Sequence, residues 1–197
     1  MVAKQSHFRR APFQIGKLRS VWCWAADERG SILIEAAIIC PVLLIIFLGM
    51  VEFSQALTVK RRVQNVASST ADLVAQSQSV TTADLNDIAS IGVQLMLPFS
   101  STGLSLTLTS VAEDANSKIT VQWSCSWSRL SNSPNCAAGG STFTGLPTGL
   151  LNPGQSLIIG QTSYPYMPAI GEFLTGGLTF SSTFYFRPRL VTLVVKQ

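Results

Sequence analysis

An uncharged apolar run near the N-terminus constrains this chain more than any other feature of its sequence. The run covers residues 36–51 (AAIICPVLLIIFLGMV), and extension back to Ser31 gives 21 residues with one charge, Glu35. A helix of that length is about 31 Å long, which matches the ~30 Å hydrocarbon core of a bilayer. An amphipathic helix of a soluble protein would carry a polar stripe, and this run has none. We therefore predict a transmembrane helix over residues 31–51, with a mild kink at Pro41.

The segment that precedes this run is basic, whereas the rest of the chain is neutral. Residues 1–30 hold six basic and two acidic side chains, and the other 167 residues hold eight of each. A basic head favours a cytoplasmic N-terminus and an exported body, since long domains translocate largely regardless of charge. The neutral body gives no reason to expect nucleic acid as a partner. A secretory signal peptide is disfavoured, because the run exceeds the usual 7–15 apolar residues.

The residue types exclude most enzyme classes. The single histidine is His7, so the body cannot contain a Ser-His-Asp or Cys-His arrangement or a histidine-based metal site. Phosphate-binding glycine motifs are also absent from the sequence. Asp84 and Asp87 are carboxylates three positions apart; as first-turn residues they favour the helix dipole, and a catalytic role is the disfavoured alternative. We predict no catalytic residue, no metal and no cofactor.

The junction between the basic head and the apolar run carries a further motif. Gly30, four residues and then Glu35, directly before an apolar helix, resembles the prepilin peptidase site of type IV pilins and pseudopilins. The resemblance implies cleavage between Gly30 and Ser31 on the cytoplasmic side, which makes Glu35 the fifth residue of the mature chain. Glycine favours an extended, accessible backbone at the cut. The new α-amino group and Glu35 can then pair between neighbouring helices in a low dielectric.

The helix itself supports a closer resemblance. Residues 35–57 (EAAIICPVLLIIFLGMVEFSQAL) are similar to the signature helix of TadE-like proteins, which are minor pseudopilins of tight-adherence (Flp) pilus systems. The shared features are an early Glu, a mid-helix Pro, a leucine-rich run, a Gly and a Glu-Phe pair: here Glu35, Pro41, residues 43–48, Gly49 and Glu52-Phe53. The specific part covers residues 29–60.

The resemblance implies a structural, non-catalytic role in assembly of tight-adherence pili. The implied partners are inner-membrane lipid, other pilins and pseudopilins, the prepilin peptidase and the pilus assembly platform. The implied location is the inner membrane, in a single pass, with the body periplasmic and with entry into the filament left open. The alternative is an uncleaved, membrane-tethered periplasmic binding module or adhesin. An envelope enzyme is a third class, which is disfavoured because the body has no histidine.

The helical pattern continues beyond the apolar run. One helix is predicted from near Ser31 to about Gln76, and a second from Thr82, capped by its own hydroxyl, to Pro98. The apolar face predicted for the first helix beyond the membrane comprises Phe53, Ala56, Leu57, Val63, Ala67, Ala71 and Val74. The chain is thus divided into a basic cytoplasmic leader (1–30), a transmembrane helix (31–51), a helical segment (52–97) and a β-rich periplasmic part (98–197).

Period-two alternation dominates the last part. Strands are predicted over residues 104–109, 119–127, 156–166, 178–186 and 190–195, with a long Gly/Pro/Ser/Asn-rich loop over 128–155. The predicted fold class is α+β: helices that cover the apolar face of an antiparallel sheet of four to five strands. Trp123 and Trp127 share the apolar face of one strand and are predicted core residues.

Two of the four cysteines flank a polar stretch. Cys125 and Cys136 enclose ten residues, and a disulfide between them would stabilise the body by about 3 kcal/mol in an oxidising periplasm. Two reduced thiols are the alternative. Cys23 lies in the leader and Cys40 in the apolar run, so neither is an expected structural partner.

Overall fold

The computed structural model describes residues 29–128, 134–147, 149–168 and 177–197, and these residues contain two helices and seven strands. The elements are α1 (Arg29–Ala75), β1 (Ser79–Val80), α2 (Thr82–Met96), β2 (Ser105–Glu113), β3 (Ile119–Trp127), β4 (Asn135–Ala138), β5 (Ser156–Tyr166), β6 (Leu178–Phe186) and β7 (Val195–Lys196). The predicted α+β class is confirmed. The chain divides after Gly49 into two units, and residues 50–197 are called the body below.

Helix α1 continues through Pro41 and ends one residue before the predicted Gln76. Within the body its buried stripe comprises Val59, Val63, Val66, Ala67, Thr70, Ala71, Val74 and Ala75. The prediction was wrong for Phe53 and Leu57, which are exposed. The stripe begins instead with half-buried Ala56, and Leu57 lies one position, or about 100°, away from Ala56 around the helix.

Helix α2 begins at Thr82 as predicted, but its cap is Thr81 and not Thr82. The Thr81 hydroxyl accepts from the Asp84 backbone N–H at 3.2 Å, and the Asp84 carboxylate accepts from the Thr81 N–H at 2.8 Å. This reciprocal pair is a capping box, and its hydrogen bonds lower the pKa of Asp84. The correction arises because the capping residue has an extended backbone and precedes the first helical residue.

The main sheet is antiparallel and has the strand order β4-β3-β2-β5-β6. Strand β4 lies inside the segment 128–155, which the sequence predicts to be a loop, and it pairs with the end of β3. The predicted strand 190–195 is also wrong, since only Val195–Lys196 is a strand and it pairs with Ser79–Val80 in parallel. The apolar pattern there reflects burial of Val194 and partial burial of Val191 against the core, not sheet pairing.

Both faces of the sheet carry apolar clusters. The first face meets the helices through Leu106, Leu108, Trp123, Cys125, Trp127 and Ile158, which pack with Ala71, Val74, Leu85 and Ile88. A register shift between Ser110 and Val111 separates Trp123 from Val121, which packs in a second cluster with Leu157 and Ile159. Phe143, Leu146 and Leu151, all from the segment after β4, pack in this second cluster.

The two tryptophans are core residues, as predicted. The Trp123 indole N–H donates to the Val194 carbonyl, and that of Trp127 donates to the Asn86 side chain, both at 2.9 Å. Each buried indole therefore has a partner for its polar atom, which removes the main cost of burying it.

Candidate functional site

The N-terminal half of α1 is apolar on every side. Its large hydrophobic side chains from Ile32 to Phe47 are exposed. Within the part of the chain that the structure describes, α1 is the helix long and apolar enough to cross a membrane. So large an apolar surface indicates contact with lipid or with another protein.

Gly30 and Ser31, the residues of the predicted cut, lie in the first turn of α1. The sequence predicts an extended backbone at Gly30, and the structure differs because the helix already begins at Arg29. The first N–H groups of a helix have no partner within it, and helix ends open at little cost. A peptidase would therefore have to unwind one terminal turn to obtain an extended Gly30–Ser31 bond.

Glu35 lies one turn further along α1, and its side chain is exposed. It is four positions after Ser31, which is a rise of about 6 Å along the helix. Its neighbours three and four positions away, Ile32, Ile38 and Ile39, are exposed apolar side chains. The carboxylate thus stands in an apolar surface, where a helix with a positive group could pair with it away from water.

The predicted cysteine pair lies directly across two strands. Cys125 of β3 faces Cys136 of β4, with sulfur atoms 2.02 Å apart in a disulfide. Cys125 is fully buried in the core, and half-buried Cys136 packs against it. The disulfide attaches the short edge strand β4 to the sheet. Cys40 is exposed on α1, and Cys23 lies outside the described residues.

The second half of α1 is held against the sheet by a close approach to β5. A Cβ atom on Gly160 would lie 2.7 Å from both the Ala67 carbonyl oxygen and the Ala71 Cβ. Beside this point the Thr162 hydroxyl donates to the Val63 carbonyl at 3.1 Å. Sequence reasoning missed Gly160, although a glycine among β-branched residues in a strand is a known signal of close backbone approach.

Polar contacts fix both ends of this packed half. The Arg62 guanidinium donates to the Leu95 carbonyl at 3.0 Å, which joins α1 to the end of α2. Arg189 forms an ion pair with Asp72 at 2.6 Å, and its backbone N–H donates to the Ala75 carbonyl at 2.9 Å. Arg189 thereby closes the last turn of α1, where helix carbonyls otherwise lack partners.

The body holds a surface cavity of about 410 Å³ lined in part by Trp123, Cys136, Val194 and Lys196. Among the residues that the structure describes, no group of three His, Cys, Asp or Glu side chains forms a metal-binding arrangement.

Comparison with known proteins bears on α1. Residues 30–72 match the model of the family described as TadE-like protein. No curated protein and no solved structure is significantly similar to the chain. The matched range begins at Gly30 and includes Glu35, Pro41 and the Glu52-Phe53 pair. The resemblance seen in the sequence is therefore confirmed: the N-terminal helical segment of this chain is similar to that of TadE-like proteins.

Proposed function

We propose that the protein is a minor pseudopilin that takes part in assembly of tight-adherence (Flp) pili. The observation that carries this proposal is the TadE-like match over residues 30–72, which begins at the glycine of the predicted cut. Residues 31–51 anchor the chain in the inner membrane, the basic segment 1–30 is cytoplasmic, and the body is periplasmic. The role is structural, and the partners are other pilins and pseudopilins, the prepilin peptidase and the assembly platform.

The exposed apolar surface of α1 supports the anchor. A water-exposed surface of this size is unfavourable by about 25 cal/mol for each Å² of apolar area, so lipid or a neighbouring helix must cover it. The cysteine pair supports the periplasmic location of the body, because disulfides persist in oxidising compartments. Gly30 and Glu35 supply the two features that a pilin-type N-terminus needs: a cleavable bond and a carboxylate beside the new terminus.

Glu35 would act through its charge. After cleavage, its carboxylate lies one helical turn from the Ser31 amino group, inside or at the edge of the bilayer. A lone carboxylate there opposes insertion, by about 2.5–3.5 kcal/mol at the centre of the membrane. In an assembly it pairs with the amino terminus of an adjoining helix, and loss of one partner of a buried pair commonly costs about 3–5 kcal/mol.

Processing is tested by mass analysis and N-terminal sequencing of the membrane-extracted protein. We expect Ser31 as the N-terminus in a strain with an active prepilin peptidase. Gly30→Val should retain the leader and abolish pili, because the larger side chain clashes in the peptidase groove. Gly49→Val is the matched control, since Gly49 lies in the same helix and has open space around it. Wild-type protein that keeps its leader would instead support the uncleaved binding module or adhesin.

The role of the carboxylate is tested by Glu35→Val. We expect this variant to insert normally and to be cleaved, yet to lose co-purification with other pilins and to fail in piliation. Glu35→Gln removes the charge at nearly constant size and should behave like Glu35→Val, whereas Glu35→Asp should be milder. Normal piliation by Glu35→Val would contradict the charge-pair role and leave Glu35 as part of an anchor only.

A further inference from the structure

One end of the body brings four chain segments together. Tyr166, the last residue of β5, pairs with Leu178, the first residue of β6. Met96, the last residue of α2, packs in one cluster with Tyr166 and with Val59 of α1. Tyr166 also stacks on Phe180 with ring centroids 5.8 Å apart. We call this region the Tyr166 end; its exposed apolar residues are Phe53, Leu57, Leu97, Met167 and Leu178.

The contacts along α1 fix the direction of the helix relative to the sheet. Its Val63 carbonyl meets Thr162, and Ala67 and Ala71 meet Gly160, so α1 runs antiparallel to β5. The first turns of α1 within the body therefore lie at the Tyr166 end. Burial raises the pKa of Tyr166, and the Glu52 carboxylate raises it further, which indicates that Glu52 is near this tyrosine.

The Tyr166 end exposes five large apolar side chains to the surroundings of the body. The exposed fractions are 65% for Phe53, 40% for Leu57, 56% for Leu97, 68% for Met167 and 45% for Leu178. The opposite end of the body carries the β2–β3 turn, where residues 114–118 are exposed and mostly polar, and beside the last turn of α1 it exposes one large apolar side chain, Leu190. Five exposed apolar side chains grouped at one end of the body indicate that this end meets an apolar phase.

Chain connectivity identifies that phase. Glu52 directly follows the apolar run 36–51, so the Tyr166 end is the end of the body nearest the bilayer. The headgroup layer is about 5–8 Å thick on each side, and the helix rises about 8 Å over the five steps from Glu52 to Leu57. Lys60 and Arg61 follow as exposed cations about 12–14 Å beyond Glu52, just above the headgroup layer and within about one Debye length of an anionic surface.

We propose that the Tyr166 end of the body is a lipid-docking surface, with Leu97, Met167 and Leu178 inserted in the headgroup layer of an anionic bilayer. This inference rests on the membrane anchoring in the proposed function. Such docking removes apolar side chains from water and restricts tilting of the body on its helix.

The test uses the full chain with Cys23→Ser and Cys40→Ser, so that the Cys125–Cys136 pair is kept. A nitroxide label is placed through Leu97→Cys, Met167→Cys or Leu178→Cys, and the protein is reconstituted in vesicles of phosphatidylcholine and phosphatidylglycerol. Power-saturation electron paramagnetic resonance then compares collision with oxygen, which concentrates in lipid, and with a water-soluble nickel chelate. Ala115→Cys in the β2–β3 turn is the matched aqueous control, and Leu44→Cys in the apolar run is the lipid control.

We expect the oxygen-to-nickel ratio at the three test positions to exceed that at position 115 severalfold. Equal ratios at the test positions and position 115 would overturn the docking surface. Low collision with both reagents would overturn it as well, because the surface would then be covered by protein. If the label at position 44 also reports water, membrane anchoring itself fails; a lipid-exposed label at position 44 beside water-exposed test positions refutes the docking surface alone.

Discussion

The close approach of α1 to β5 makes Gly160 a position where a single methyl group should disturb the packing of the first helix on the sheet. In Gly160→Ala the new Cβ would lie 2.7 Å from the Ala67 carbonyl oxygen and from the Ala71 Cβ. Ordinary contacts of these atoms are longer by about 0.7 Å or more, and one partner is helix backbone that cannot rotate away. Overpacking of this kind costs about 1–3 kcal/mol in the free energy of unfolding.

The measurement is the thermal midpoint of the full chain in detergent, followed by near-ultraviolet circular dichroism of the buried tryptophans. For a body of this size, 1 kcal/mol corresponds to about 2–4 °C, so we expect Tm to fall by about 2–12 °C. Gly92→Ala is the matched control. Its Cβ would meet only the Val66 side chain at 3.1 Å and that of Thr70 at 3.6 Å, and alanine is better than glycine in a helix by about 1 kcal/mol.

Gly92→Ala should therefore leave Tm unchanged or raise it slightly. An unchanged or higher Tm for Gly160→Ala would refute the reasoning, because it would mean that α1 and β5 can separate at no cost. A similar fall for both variants would show that any added methyl group disturbs this core, and that the backbone contact at Gly160 has no special weight.

Three further changes test local features of the body. Thr81→Ala removes the hydroxyl of the capping box and should lower the free energy of unfolding by about 1 kcal/mol, as measured by urea denaturation. The folded-state pKa of Tyr166 is raised, so its contribution to stability is complete below the unfolded pKa near 10 and is lost as pH rises through the folded value. In a series of Tm measurements against pH, Tyr166→Phe should therefore reduce the fall of Tm at alkaline pH. A phosphatase fused after Gln197 should be active and non-reducing mass analysis should show Cys125 joined to Cys136, and reduction should then cost about 3 kcal/mol; an inactive fusion with free thiols would place the body in the cytoplasm.

Local patterns were sufficient for much of the fold. The length of the apolar run predicted the long first helix. Period-two alternation predicted β3 and β6 with the observed bounds and β2 without its last four residues, and the candidate strand 156–166 coincides with β5. Errors occur where apolar residues are buried against the core without pairing in a sheet. The residues after Arg189 are rich in β-branched and apolar side chains, as in a strand, yet Val191 and Val194 pack on the core from an irregular backbone. Strand β4 was missed because its four residues are too few to show an alternating pattern, and Cys136 is the residue of this strand that packs against the core.

The N-terminal segment is the part of this protein that the sequence by itself determined. Hydrophobic length, the Gly30–Glu35 spacing and the mid-helix proline are properties of consecutive residues, so they can be read without a fold, and the family match covers the same residues. Only the tertiary structure decided the contacts of Gly160 with α1, the opposition of Cys125 and Cys136, and the apolar Tyr166 end. These features join residues from distant parts of the chain, and their geometry depends on strand register and helix direction, which no local pattern encodes.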